Sequence, residues 1–242
     1  MGQGPSALAA AILAAGVALA GFLIGQGFMG ARGADRFVTV KGISEREVEA
    51  NVAIWPLRVV ASDNDLAKAQ AQLEQSLAKI REFLSAHQID AASARVLGFS
   101  VSDAQTNQYS TGGAGSRFVI NQTLVVRSSE PAKVLAASAK VGELVAAGVV
   151  LSSGGEYGGG GPTFLFTGLS DLKPAMIAEA TARAREAAEQ FARDSGSRIG
   201  GIRRANQGQF EILPRDRAPG ISEEAQLEKT VRVVSTVDYS LE

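Results

Sequence analysis

The chain has 242 residues, a length that suits one domain or two small ones. It carries 24 Lys+Arg against 25 Asp+Glu, and this near-neutral balance argues against a nucleic-acid-binding surface. The absence of cysteine excludes disulfides, thiol catalysis, cysteine-type zinc sites and a lipoprotein anchor. None of the charged side chains precedes Arg32, so the first 31 residues form a charge-free segment ahead of an ordinary domain.

This charge-free segment contains a continuous apolar run. Ala7–Ile24 holds 18 residues without a polar side chain. As a helix, Ala7–Met29 would span about 34 Å, enough for a hydrocarbon core of about 30 Å. Gly21 and Gly25 stand four residues apart, a spacing that lets helices in lipid approach closely, and we predict them as oligomer contacts. We favour an uncleaved single-pass anchor at residues 1–31; a cleaved signal peptide is the alternative.

Residues 36–242 form the predicted domain, which opens with two strands. Arg36–Gly42 and Glu47–Ala61 alternate apolar and polar side chains, and the turn between them falls at Ile43–Arg46. Pro56 predicts that the second strand lies at an edge or is bulged there. Next comes a helix that ends near His87 and is capped by Asp63 or Asn64. Its apolar stripe consists of Leu66, Leu73, Leu77, Ile80 and Leu84.

A long hairpin and two further helices follow. The hairpin arms are Arg95–Tyr109 and Arg117–Arg127, and polar and glycine residues form its tip. The second helix runs from Glu130 to Ala147, with four residues predicted inward, namely Val134, Val141, Leu144 and Val145. An alanine-rich third helix begins at Ser170 or Asp171 and reaches Asp194; its small side chains favour close packing. The remaining predicted strands are Thr163–Thr167, Ile199–Leu213 and Leu227–Leu241.

The predicted order of elements after the anchor is β-β-α-β-β-α-β-α-β-β. Long amphipathic helices and alternating strands together indicate an α+β fold. We therefore predict an N-terminal transmembrane helix followed by a mainly antiparallel sheet with the helices packed on one face.

The sequence shows no convincing catalytic or metal-binding pattern. His87 is the only histidine, and at a helix end it is expected to bond the last carbonyl groups. The glycine-rich Ser152–Pro162 lacks the ending of a phosphate-binding loop and leads into a strand, which favours a flexible connection. The carboxylate pairs Asp63/Asp65 and Glu223/Glu224 are interpreted as a helix start and a loop. We predict a protein that is not an enzyme, with no catalytic residue, no cofactor and no metal site.

The order and spacing of these segments resemble those of SIMPL-domain proteins, periplasmic or envelope proteins of unknown function. The residues that carry the resemblance are Val38–Gly42, Val48–Val60, Ala67–His87, Gln88–Asp90, Val96/Phe99, Ala178–Ala192, Gly196, Ile199-Gly200, Ile202 and Val231–Leu241. The resemblance implies an α+β fold, export to the periplasm and an absence of known catalytic residues. It also implies a link to envelope and oxidative stress and, for some members, assembly into large ring- or channel-like homo-oligomers.

The leading hypothesis is therefore a single-pass protein of the bacterial inner membrane whose periplasmic domain assembles into a ring- or cage-like homo-oligomer. Its expected partners are copies of itself and the lipid bilayer, with neither nucleic acid nor a known small-molecule substrate. We predict subunit contacts at the hairpin tip, through Tyr109 and Phe118, and at the glycine-rich segment, through Glu156 and Tyr157. The alternative is a soluble periplasmic binding or chaperone-like module with a cleaved signal peptide.

Overall fold

The structure is a computed structural model that describes residues 7–33, 36–105, 115–152 and 161–242. Its helices are α1 (Ala7–Gly33), α2 (Leu66–Ala86), α3 (Pro131–Ser138), α4 (Gly142–Ala146) and α5 (Leu169–Asp194). Its strands are β1 (Phe37–Glu49), β2 (Val52–Asp63), β3 (Ala94–Asp103), β4 (Phe118–Ser128), β5 (Thr163–Leu165), β6 (Ile199–Gln207), β7 (Glu211–Pro214) and β8 (Glu228–Leu241).

The strands form two four-stranded sheets, where the sequence had predicted one. The first has the order β1-β8-β6, with β7 also paired to β8, and the second has the order β3-β4-β2-β5. The pairs β2–β4, β2–β5, β3–β4, β6–β8 and β7–β8 are antiparallel, so the α+β class with antiparallel sheets is confirmed. Alternation reveals which face of a strand is buried but not which strand lies beside it, which is why the sheet count was wrong.

The chain divides into two compact units. The first unit consists of Met1–Ser44, Pro174–Phe210 and Val233–Glu242. The second unit consists of Glu45–Lys173 and Glu211–Arg232.

In the second unit, α2 packs on β2 and β4 and closes the larger core. The predicted stripe is confirmed for four of its residues, because Leu73, Leu77, Ile80 and Leu84 are buried, whereas Leu66 is exposed. Asp65 is the cap, in place of the predicted Asp63 or Asn64, and its carboxylate accepts a bond of 2.8 Å from the amide of Ala67.

In the first unit, the alanine-rich face of α5 lies against β1 and β8. Ala184 and Ala188 are buried in one cluster with Val38, Val237 and Tyr239. The predicted close packing of this helix is therefore confirmed.

The turn predicted at Ile43–Arg46 is wrong, because β1 continues to Glu49 and the chain reverses at Ala50–Asn51. The alternation of β1 carries on through Gly42 and Ser44, both buried. The hydroxyl of Ser44 donates a bond of 2.8 Å to Glu179, which explains how a polar residue is accommodated inside the first unit.

Two predicted elements are each divided in the structure. The helix predicted from Glu130 to Ala147 is split into α3 and α4 because Lys140 and Val141 bond to carbonyls three residues back, which tightens the chain there. The turn rotates the residues that follow it, so Val145 is exposed, contrary to prediction. The strand predicted at Ile199–Leu213 is interrupted between β6 and β7, where the amide of Gly208 bonds to the carbonyl of Val234.

The edge or bulge predicted at Pro56 is wrong, because β2 pairs on both sides and its register with β4 is continuous through Pro56. The amide of Val60 bonds to Val150, on the side of β2 away from β4. By the two-residue alternation, the ring nitrogen of Pro56 faces that same side, where β5 pairs only with Val52–Ile54. The missing N–H therefore breaks no described ladder bond, as expected for proline in a strand.

The predicted N-terminal helix exists as α1. Within the described residues, no helix meets the length and hydropathy required of a membrane span. The transmembrane part of the fold prediction is therefore unsupported, and residues 1–31 as a separate segment stay a prediction.

Candidate functional site

The most exposed strand of the second unit is β3, which forms an edge of its sheet. Among the described residues it pairs with β4 alone. Every residue from Arg95 to Ser102 is exposed. An edge strand presents unpaired main-chain donors and acceptors, so it is a template for another strand.

The side chains of β3 on the core face of the sheet are apolar and uncovered. Val96, Phe99 and Val101 lie opposite Leu124, Gln122 and Ile120 of β4, all three of which are buried. Residues directly opposite each other in a ladder share a face, so the three β3 side chains extend the core face sideways. They are nevertheless 57%, 55% and 46% exposed, because α2 packs over β2 and β4.

This edge carries little of the protection that edge strands usually have. No charged side chain occurs from Val96 to Ser102. The register shift between Val96 and Gly98 leaves Leu97 in a bulge, and its side chain is 64% exposed. Charges and bulges normally keep strand edges apart, and here only one bulge is present. We refer to Val96, Leu97, Phe99 and Val101 as the β3 surface.

The far end of β3 is fixed by an ion pair. Arg117 lies 3.1 Å from the carboxylate of Asp103, and the amide of Gln105 also donates to that carboxylate. Both bonds hold the pKa of Asp103 below its ordinary value, and the bond from Arg117 has the larger effect.

The structure places the predicted contact residues at separate positions. Gly21 and Gly25 lie in α1, and a Cβ atom at either would meet nothing within 4 Å. Phe118 begins β4, between Asp63 and Asp103, with the guanidinium of Arg117 4.6 Å from its ring centre. It is partly buried within its own chain rather than presented at a tip. Tyr109, Glu156 and Tyr157 lie outside the described residues.

The sequence predicted the hairpin, but it did not predict that the β3 surface, on the first arm of this hairpin, would be exposed. The available signal was the uncharged run from Val96 to Ser102 in a strand next to a long loop. A single α2 helix, about 10 Å wide, covers roughly two strands spaced 4.8 Å apart, so a third strand on that face is expected to remain open.

His87 closes α2, as predicted. Its Nδ1 lies 2.9 Å from the carbonyl oxygen of Phe83, so that nitrogen carries the proton and donates. Its Nε2 lies 3.8 Å from a carboxylate oxygen of Glu143, and its ring packs on that of Phe83. These contacts tie α2 to α4 within the second unit.

A shallow groove in the second unit is lined by acidic residues and one arginine. Arg215 lies there beside Glu47, Glu49 and Glu228, and it forms an ion pair with Glu228. The charges of Glu228 and Glu47 raise the pKa of Arg215. Because three carboxylates surround a single arginine, the lining of the groove is net negative and does not favour an anion.

The other carboxylates of interest have structural partners. Asp63 accepts from the amide of Asp65 at 3.0 Å, in agreement with its interpretation as a helix start. Glu223 forms an ion pair with the fully buried Lys229. Across the described part of the chain, no three His, Cys, Asp or Glu side chains are grouped so that they could hold a metal ion.

These features define an α+β protein built from antiparallel sheets, with a long helix packed in each of its two units. The chain belongs to the SIMPL family, described as proteins of unknown function (DUF541), whose family model matches residues 38–239. The resemblance seen in the sequence is thereby confirmed. No curated protein matches the chain.

Proposed function

We propose that this SIMPL protein is a non-enzymatic component of the bacterial envelope. In this proposal, α1 holds the chain in the inner membrane as a single pass, and residues 36–242 lie in the periplasm. The periplasmic part assembles through the β3 surface into a ring- or cage-like homo-oligomer. The resemblance to envelope proteins motivates a role for this assembly under envelope or oxidative stress.

The observation that carries the membrane part is the exposure of α1. Seven of its large apolar side chains are 59–73% exposed, namely Ile12, Leu13, Val17, Leu19, Phe22, Leu23 and Ile24. Helices that are apolar all round are found in cores or in lipid. Burial in lipid would remove this apolar area from water at a gain of about 25 cal/mol per Å².

The membrane part is tested by extraction. The full chain is expected to stay in the membrane fraction after alkaline carbonate treatment. The substitution Val17→Asp places a charge in the middle of α1 and should release the chain from the membrane fraction. An aspartate at a helix centre costs about 3 kcal/mol on insertion scales. Gln75→Asp on the exposed side of α2 is the matched control and should leave the chain in the membrane.

Intact mass separates the outcomes. Release of wild-type chain that retains Met1 would overturn the membrane proposal. Release of a chain that lacks about 30 residues, a typical length for a cleaved signal, would also overturn it and support the soluble alternative. Protease treatment of spheroplasts should digest the domain, whereas a protected domain would contradict the periplasmic location.

Assembly is supported by the β3 surface, because an apolar strand edge is complementary to a second copy of itself. An antiparallel two-fold pairing would satisfy the open main-chain groups and join the two stripes on one face. A two-fold pairing closes as a dimer, so the proposed ring or cage needs a further contact between dimers. Protein purified from membranes should have at least twice the mass of the 25.1 kDa chain, with the ring or cage visible by electron microscopy.

The double variant Phe99→Glu/Val101→Glu should break the β3 pairing and lower the mass of the assembly. Val145→Glu is the matched control, since Val145 is 59% exposed in the same unit but lies outside the β3 surface. Wild-type protein that sizes as a single chain would overturn assembly. Equal dissociation by both variants would overturn the role of the β3 surface.

A further inference from the structure

One end of the first unit carries a group of arginines. The amide of Leu241 bonds to the carbonyl of Arg36, and Arg198 and Glu242 exchange two main-chain bonds of 2.9 Å. The strands β1 and β6 therefore begin at the same end of the sheet at which β8 ends. Arg36 and Arg198 both lie at that end of the sheet.

An exposed aromatic residue accompanies these arginines. The guanidinium of Arg203 lies 5.0 Å from the ring centre of Phe37, which is 51% exposed. The side chains of Arg36, Arg198 and Arg203 are all exposed, and Arg36 donates to Ser197 at 3.4 Å. We refer to Arg36, Phe37, Arg198 and Arg203 as the basic patch.

Positive charge exceeds negative charge around this patch. The strands of the first unit and the residues directly before them contribute five cations, namely Arg36, Lys41, Arg198, Arg203 and Arg204. In the first unit, β8 and the residue after it contribute two anions, Asp238 and Glu242. Arg193 and Asp194 at the end of α5 cancel each other. The patch is therefore suited to an anionic partner.

Chain connectivity places the patch near whatever α1 enters. The helix ends at Gly33, and three residues later Arg36 is fixed to β8. Three residues span at most about 11 Å, so the backbone of Arg36 cannot lie farther than that from the end of α1. A helix end at a bilayer surface would bring these arginines to the depth of the lipid headgroups.

We propose that the basic patch binds the phosphate groups of anionic phospholipids next to α1; this rests on the membrane attachment proposed above. Guanidinium groups bond phosphate oxygens in pairs, and arginines near a bilayer are attracted to anionic headgroups. The half-exposed ring of Phe37 has the amphipathic setting typical of aromatic residues at the membrane interface. The consequence is a domain held against the membrane surface as well as tethered to it.

The test compares the full chain in nanodiscs of phosphatidylcholine with discs that also contain phosphatidylglycerol. Amides of the β1 start, from Phe37 to Thr39, should exchange hydrogen about tenfold more slowly in the anionic discs. High salt should remove the difference, because exposed charges are screened. Inorganic phosphate added to the neutral discs should give no protection; equal protection by phosphate would overturn the lipid as partner.

Arg198→Gln/Arg203→Gln should abolish the lipid-dependent protection while the chain stays in the disc. The matched control is Arg183→Gln/Arg185→Gln on α5, which removes the same charge from exposed side chains outside the patch and should preserve the protection. Equal exchange of wild-type protein in both discs, or equal loss in both variants, would overturn the basic patch. A chain that fails to enter either disc would instead refute the membrane attachment, so the two failures are distinguishable.

Discussion

Gly42 of β1 approaches α5 so closely that a Cβ atom on it would lie 1.8 Å from the carbonyl oxygen of Ala180. The same atom would lie 2.5 Å from the amide nitrogen of Ala184. Both neighbours are helix backbone, which cannot move aside as a flexible side chain can. Ala180 and Ala184 are fully buried, so the small residues of both elements allow the strand to touch the helix backbone.

Gly42→Ala should therefore destabilise the protein by about 3 kcal/mol or more, since overpacking of this kind forces backbone shifts. The measurement is urea unfolding of the full chain in detergent, followed by circular dichroism. Gly201→Ala is the matched control, because a Cβ on this β6 glycine meets nothing within 4 Å. A cost for Gly42→Ala no larger than that of Gly201→Ala would contradict the close approach.

The sequence predicted those elements whose pattern is local. The periodicity of Leu73, Leu77 and Ile80 was enough for α2, because helix packing repeats within one segment. The turn at Ile43–Arg46 failed because polar Ser44 finds a partner, Glu179, that lies 135 residues away in sequence. Partners that arise from tertiary contact leave no local signal.

The exposure of the β3 surface also depends on tertiary contacts that leave no local signal in the sequence. The sequence predicted that Phe99 lies in an arm of the hairpin, but the exposure of Phe99 depends on which strands α2 covers. That coverage is a property of sheet order, which alternation does not report. The β3 surface therefore became visible only in the folded chain.

The side chain of Asn51 should stabilise the β1–β2 turn by bonding to Thr167. Its side-chain oxygen accepts from the amide of Thr167 and its side-chain nitrogen donates to the Thr167 hydroxyl, both at 2.9 Å. Asn51→Ala removes both bonds and also the bond of 3.1 Å that the Thr167 hydroxyl donates to the Asn51 oxygen, and it should cost about 1–3 kcal/mol, given about 1 kcal/mol for each net bond. Thr167→Val removes the two bonds of the hydroxyl but keeps the amide bond, so it should cost less than Asn51→Ala in the same unfolding assay. Equal costs would show that the amide bond contributes nothing.

The Asp103–Arg117 pair should make stability depend on pH in the acid range. Arg117 and the amide of Gln105 lower the pKa of Asp103 from its ordinary value of 3.8. The stabilisation is therefore fully present above pH 3.8 and is lost as pH falls through the lower pKa of the folded state. Asp103→Asn should flatten the decline of the urea midpoint in that range, and Arg117→Gln should do so too. A decline as steep as that of wild type in both variants would contradict the pair.

Phe99 and Phe164 should respond differently to the same substitution. Phe164 is 1% exposed in the core of the second unit, so Phe164→Ala should cost about 3–5 kcal/mol through lost burial and a cavity. Phe99 is 55% exposed, so Phe99→Ala should cost less than about 1 kcal/mol in the single chain, measured at low protein concentration. At high concentration its cost should rise, because assembly stabilises only the folded chain that binds a copy. A large cost for Phe99→Ala that does not change with protein concentration would mean that Phe99 is covered within its own chain.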